Sequence, residues 1–319
     1  MSAGFDGRIG IALGSGAARG WAHVGVLRAL REAGIEPEFV CGTSSGALVG
    51  ALYAAERLDA LEKWARQLDR RQIFSLFDFS LRGGLIKARK VLEAVGEELG
   101  DATIESLPRR FAAVATDLAT GREIWLRSGA LLPALRASIA LPGLVTPVQI
   151  DGRWMVDGGL VNAVPISLCR ALGADSVIAV DLNTTLLRRR FSGAMPAAPV
   201  VEVPQEEHED TAGMFNGFQE FLTDMRERLG GGDAADRDKP PSFFDVIANA
   251  INIMQVRITR SRMAGDPPEL LITPQLADFS IYDFDRAGDA IEAGHRAANR
   301  ALSAWRESGA SGPERIEGR

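Results

Sequence analysis

Several short runs of this chain are apolar almost from end to end and do not alternate with polar residues: "IGIAL" at 9–13, "EFVC" at 38–41, "FAAVAT" at 111–116 and "SVIAVDL" at 176–182. A strand with one wet face alternates, so a run of this kind must be covered on both faces. That requirement selects a mostly parallel sheet between two layers of helices. The intervening text supplies helices over 19–33, 46–56, 89–99 and 165–172, with a further short strand at 123–126. From Arg8 to about Asn183 strand and helix follow one another as a three-layer α/β/α domain requires.

The 319 residues, 46% of them hydrophobic, are enough for a large core. A net charge of −6 speaks against a nucleic-acid partner, because nothing provides the basic surface that displaces counterions from phosphate. A lipid surface would have to be met through apolar contact. Cys41 and Cys169 fall in apolar stretches and read as reduced core thiols. Residues 1–10 lack a basic start followed by an apolar run, and no stretch approaches about 18 apolar residues. The expectation is a cytoplasmic protein without a membrane span.

The organisation expected is a catalytic core over 8–183, an excursion over 184–242, a segment over 243–307 that completes the same domain, and a disordered tail over 308–319. The excursion carries Pro/Ala-rich sequence, the acidic "EVPQEEHED" and "GGGDAADRDKPP". Within it, "MFNGFQEFLTDMRERL" places Met214, Phe218, Phe221 and Met225 on one helical face. The face suits a helix packed on its own core, with a lid or an oligomer contact as the alternatives. The final Ile316-Glu317-Gly318-Arg319 reads as an added protease-cleavage sequence.

Chemistry enters at "FVCGTSSGALVGALYAA", residues 39–55. A buried strand, a glycine-flanked turn and an Ala/Leu-rich helix put Ser44 on the bend of a G-x-S-x-G nucleophile elbow, with Gly42 and Gly46 relieving the crowding there. Upstream, Gly14, Gly16 and Gly20 lie between the first strand and helix. A dinucleotide fingerprint needs the third glycine one residue earlier, and Glu36 and Glu38 precede the second strand instead of ending it. The same loop can serve as an oxyanion cradle, since backbone amides at a helix start are oriented donors. Arg19 could hold that loop or attract an anionic head group.

A serine nucleophile needs a base. Of three histidines, His23 lies in a helix, His208 in the acidic stretch and His295 on a polar late helix. None has the loop setting of a Ser/His/Asp triad. Carboxylates are the alternative. Asp151-Gly152 reads as a two-residue hairpin turn. Asp157 ends a strand-like run and is followed by Gly158 and Gly159, which allow close backbone approach. Asp117 and Asp181 also end strands and compete with it.

Taken together, the glycine-rich loop, the elbow at 42–46 and Asp157-Gly158-Gly159 resemble the patatin-like phospholipases, nearest the bacterial RssA-like, neuropathy-target-esterase-like branch. "ASIALPGLVTPV", "ALGADSVIAVDLN" and "IMQVRITRSRMAGDPPELLITP" extend the similarity to about three-quarters of the chain. The resemblance implies a serine lipid acyl hydrolase with a Ser44–Asp157 dyad and an oxyanion loop over Gly14, Ser15, Gly16, Ala17 and Arg19, the amides around Gly16 and Ala17 donating. It implies phospholipid, lysophospholipid or another lipid ester as substrate, no cofactor or metal, and leaves room for peripheral membrane contact at the inner surface and for a homo-oligomer. Ser15 and Ala17 stand where many relatives have glycine. The alternative is a catalytically idle relative that keeps the pocket for lipid binding or regulation.

Overall fold

In a computed structural model, described for residues 5–68, 72, 89–184 and 243–308, the apolar runs lie side by side in one eight-stranded sheet. The strands are β1 (Ile9–Leu13), β2 (Phe39–Thr43), β3 (Arg110–Asp117), β4 (Glu123–Leu126), β5 (Val148–Ile150), β6 (Arg153–Asp157), β7 (Ser176–Val180) and β8 (Leu270–Ile272). Their order is β5-β6-β3-β2-β1-β7-β8, with β4 also paired to β3. The five strands from β3 to β8 are parallel, and β4, β5 and β6 form an antiparallel flank.

β2 and β7 are buried at every position, as runs without alternation must be. One face packs on α1 (Ala22–Glu32), α2 (Ser45–Ala54) and α8 (Ala287–Glu307), through a cluster that includes Ile11, Val40, Phe111, Leu27, Leu52 and Ile291. α3 (Leu58–Gln67), α4 (Arg89–Leu99) and α5 (Leu131–Ser138) extend that layer. The opposite face packs on α6 (Ile166–Leu172) through Phe39, Cys41, Val114, Leu168 and Cys169, with Met263 of α7 (Phe243–Gly265) alongside. The result is the α/β/α arrangement that the apolar runs require.

The expected elements need small corrections. β2 runs on to Thr43, and β7 stops at Val180 because the Asp181 carboxyl takes the Asn183 amide and turns the chain. The first helix is preceded by a 3-10 turn over Ala17–Trp21, so regular α-helix begins at Ala22 and not at Arg19. Asp151 (φ 49°) and Gly152 (φ 76°) form the tight turn between β5 and β6, as their dipeptide implies. Residues 185–242, and with them the amphipathic stretch 214–229, lie outside the described residues. Among the described residues no helix is long and apolar enough to cross a membrane.

The topology also places the site. β1 connects to β2 on one side and is flanked by the parallel β7 on the other, so the order in which strands join the sheet reverses between β1 and β7. Crevices at such points, outside the carboxyl ends of parallel strands, receive ligands. The loops after β1 and β2 emerge there together.

Candidate active site

The elbow is the most constrained point. Ser44 has φ 58° and ψ −123°, a conformation costly for any residue with a Cβ. It is held from three sides. Ser138 Oγ, at the end of α5, accepts the Ser44 amide at 2.9 Å, and the Ser44 carbonyl accepts the amides of Ala47 and Leu48 as α2 begins. The Thr43 hydroxyl donates to the Asn162 carbonyl at 2.8 Å. Glycine is obligatory on both flanks: a Cβ on Gly42 would lie 2.4 Å from the Gly46 carbonyl oxygen, and one on Gly46 would lie 2.2 Å from that of Leu13.

Asp157 enters from β6, and its strand register is fixed by pairing with Ala115 of β3 and by the hydrogen bond its backbone N–H donates to the Ala140 carbonyl. The side chain is fully buried. Oδ1 accepts the Gly159 amide at 2.6 Å, while Oδ2 has no hydrogen-bond partner. Burial pushes the carboxyl up from 3.8 to about 6, opposed by the Ser44 hydroxyl and the Gly159 amide, both of which favour the charged form. The Ser44 hydroxyl is thus near enough to the buried carboxyl to favour its charged form, and one carboxyl oxygen is uncommitted. Gly158 presses against the Val114 carbonyl, where a Cβ would come within 2.3 Å, so the turn after Asp157 packs flush on β3.

The two competing aspartates are occupied. Asp117 Oδ1 takes the amides of Ala119 and Thr120, and Asp181 takes the Asn183 amide and the Thr184 hydroxyl. Both form turns. None of the histidines meets the Ser44 hydroxyl or the Asp157 carboxyl among the hydrogen bonds of the described residues; His208 lies outside them. His295 binds Glu32 at the surface. His23 is fully buried, and its Nε2 lies 2.7 Å from the Gly14 carbonyl, which as an acceptor fixes the proton on that nitrogen. Burial drags its pKa down to about 4, so the ring is neutral and supports the glycine loop from behind.

The amides of that loop fall into two groups. Gly14 donates to the Val180 carbonyl, Ser15 to Ala163, Ala18 to Ile281 and Arg19 to Gly16. The amides of Gly16 and Ala17 donate to no group among the described residues. Gly14 and Ser15, members of the same loop, anchor it to its neighbours. Arg19 is also no open cation: it is buried, its Nε donates to the Gly16 carbonyl at 3.1 Å and its Nη2 to Asn252 Oδ1 at 3.2 Å. Burial lowers its pKa to about 10, against the pull of Asp181 and Asp283, so the guanidinium stays charged and braces the loop. A head group cannot reach it. Ala17 has φ 50°, a second strained position in the same loop.

Beside Ser44 opens a cavity of about 150 Å3. Ala17, Ser44 and Ser45 form its polar end, and Leu48, Val49 and Leu52 of α2 line it going inward, with Leu61 and Trp64 of α3, Val95 of α4 and Leu144 among the other walls. Leu52 lies eight residues beyond Ser44, so the lining residues on α2 span ~12 Å of helix. A hydrocarbon chain fits such a wall, while a phosphate or sugar would find nothing there to bind its polar groups.

Sequence reasoning did not single out Ser138, Asn162, Asn183 or Gln255, all buried polar residues around the two loops. Gln255 and Asn183 connect to Ser15, and Asn162 connects Thr43 to Glu123. The signal available was weak: each is a polar residue inside or beside an apolar run.

Comparisons with known proteins identify relatives of this chain. A family model described as patatin-like phospholipase matches residues 11–170, which contain the last three residues of β1, the elbow and Asp157. An uncharacterized NTE family protein of Mycobacterium tuberculosis is 35% identical over 335 residues, covering 93% of this chain and 92% of that protein. Neuropathy target esterase sws of Drosophila melanogaster is 33% identical over 184 residues, which is 55% of this chain and 13% of that much longer protein. Among solved structures, VipD from Legionella pneumophila is similar with a TM-score of 0.44 at 13% identity, over 93% of this chain and 66% of that one. On the family match and the near full-length relative, this chain belongs to the patatin-like phospholipase family.

Proposed function

We propose that this protein is a serine lipid acyl hydrolase, of the phospholipase A, lysophospholipase or carboxylesterase class, in which Ser44 is the nucleophile and Asp157 the general base. Family membership supports hydrolase chemistry in general. The observation that carries the finer reading is the pairing of a strained, cavity-facing serine with a fully buried carboxyl whose Oδ2 has no partner.

In the first half-reaction Asp157 Oδ2 accepts the Ser44 proton as Oγ attacks the ester carbonyl carbon. Negative charge moves to the carbonyl oxygen, where the free amides of Gly16 and Ala17 receive it. The intermediate collapses, the carbon–oxygen bond to the alcohol breaks, and the protonated Asp157 returns its proton to the leaving oxygen. Water repeats the sequence on the acyl-enzyme, giving a carboxylic acid and free Ser44. A carboxyl held near pH 6 is a better base at neutral pH than an exposed aspartate. The apolar wall along α2 accepts the acyl chain, which makes lipid esters the substrate class. Contact with a membrane surface from which such esters are drawn belongs to the same proposal.

Hydrolysis of p-nitrophenyl esters, lysophospholipids and phospholipids by wild type and Ser44→Ala tests the assignment. The expected result is loss of at least a thousandfold in kcat for Ser44→Ala with the fold retained. An idle, lipid-binding scaffold would instead show no Ser44-dependent turnover of any of these esters.

A further inference from the structure

The family model ends at residue 170, yet the two loops of the site are joined by residues beyond it. Gln255 lies on α7 and is 3% exposed. Its Oε1 accepts from Asn183 Nδ2 at 3.1 Å, and the same nitrogen donates to the Ser15 carbonyl at 3.0 Å. The Ser15 carbonyl can only accept, which fixes the amide end of Asn183 and, through it, the oxygen end of Gln255. The NH2 end of Gln255 then faces the Ser15 hydroxyl, at 3.5 Å, and the turn after Asp157.

Contact with that turn is close. A Cβ on Gly159 would stand 2.4 Å from Gln255 Nε2 and 2.9 Å from Asp157 Oδ1, so the carboxamide occupies the space a side chain at 159 would need, next to the carboxyl. One turn earlier on the same helix face, Asn252 Oδ1 accepts from Arg19, whose Nε holds the Gly16 carbonyl. α7 thus grips the loop with the free amides at two points, directly at Ser15 and through Arg19 at Gly16, and abuts the carboxyl's turn at a third.

We infer that Gln255 is a positioning residue for the acyl-transfer reaction, setting the separation between the Gly16–Ala17 amides and Asp157 through Asn183, Ser15 and Gly159. The inference rests on the acyl-hydrolase reading above. It assigns to a helix outside the matched family segment the task of holding donors and base in register. The carboxamide touches neither Ser44 nor the cavity, so its loss should affect the chemical step and leave ester binding in place.

The test compares kcat, KM and thermal unfolding for Gln255→Met, Asn183→Ala, their double variant and Ser44→Ala, with one p-nitrophenyl ester as substrate. Gln255→Met keeps the volume and removes the hydrogen bonds; the expected result is a fall of about 10- to 100-fold in kcat with KM changed less than threefold. The double variant should be no slower than the slower single variant, because both break one bridge. If Gln255→Met fails to fold, Gln255→Glu substitutes for it: the carboxylate still accepts from Asn183 but donates nothing to Ser15, and kcat should again fall at least tenfold. Wild-type kcat in a folded Gln255 variant, or additive losses in the double variant, overturns the inference. Turnover by Ser44→Ala at the wild-type rate would instead defeat the acyl-hydrolase reading itself.

Discussion

Ser138 Oγ lies 2.9 Å from the amide nitrogen of Ser44 and accepts its hydrogen bond, although one serine closes α5 and the other precedes α2. An elbow in a strained conformation needs its backbone fixed from outside, and the amide of the nucleophile is where this fold applies the restraint. Removing the acceptor leaves a buried N–H unpaired, which costs about 1–3 kcal/mol. Ser138→Ala should therefore lower the denaturant-derived stability by that amount and reduce kcat by about tenfold, as the freed elbow leaves its productive geometry. Equilibrium unfolding and steady-state kinetics on the same preparation check both.

The pH dependence of hydrolysis should report Asp157. As a base it must be ionised in the free enzyme, so kcat/KM should rise with pH, with a midpoint near 6, and level off above about 7. The neutral His23, titrating near 4, adds no limb in that range. A profile governed by a group near the ordinary carboxylate value would place a different base in the reaction.

Stability should move the other way. The Asp157 carboxyl titrates near 3.8 when unfolded and about 6 when folded, so between those values the native state holds a proton that the unfolded chain has released. Its contribution to stability is complete below pH 4 and is lost as pH rises through 6. Asp157→Asn has no such loss. It should be inactive yet more stable than wild type above pH 7, by up to about 3 kcal/mol, and the gain should shrink toward pH 4. Thermal or urea unfolding of both proteins across pH 4–8 measures this.

How much of this was legible in the sequence depends on the range of the forces involved. β1 and β4 fall at their expected residues, and α4 as well, because uninterrupted apolar runs and helical spacing are local signals. α5 was hidden by Pro133, which breaks helices in general but is tolerated in the first turn, where amides have no intrahelical acceptor. α3 carried a readable stripe in Leu58, Leu61 and Ala65. The elbow and the Asp157 turn were legible because glycines are forced there by close approach of other backbone. The amides around Gly16 and Ala17 were singled out by resemblance alone: that Gly14 and Ser15 are committed to Val180 and Ala163, more than 140 positions away, is a pairing local sequence does not encode. The same applies to Ser138 and Gln255, which act only through tertiary contact.

The cavity along α2 predicts chain-length selectivity. Val49 is buried and lines that wall one turn and a little beyond Ser44. Val49→Trp should fill the passage, lowering kcat/KM for long-chain esters by more than about tenfold while changing that for acetyl or butyryl esters less than threefold, since an apolar pocket discriminates by about 1–3 kcal/mol. A matched series of p-nitrophenyl esters from two to sixteen carbons measures it.

The pairing of Ser44 with Asp157 is tested most directly by the rate at which a fluorophosphonate modifies the protein, followed against pH in wild type and Asp157→Asn, with the modified residue located by peptide mass. The expected result is a single adduct on Ser44, formed at a rate that rises through pH 6 in wild type and at least about a hundredfold more slowly when Asp157 is asparagine. An adduct on another residue, no adduct at all, or equal rates in the two proteins would contradict it.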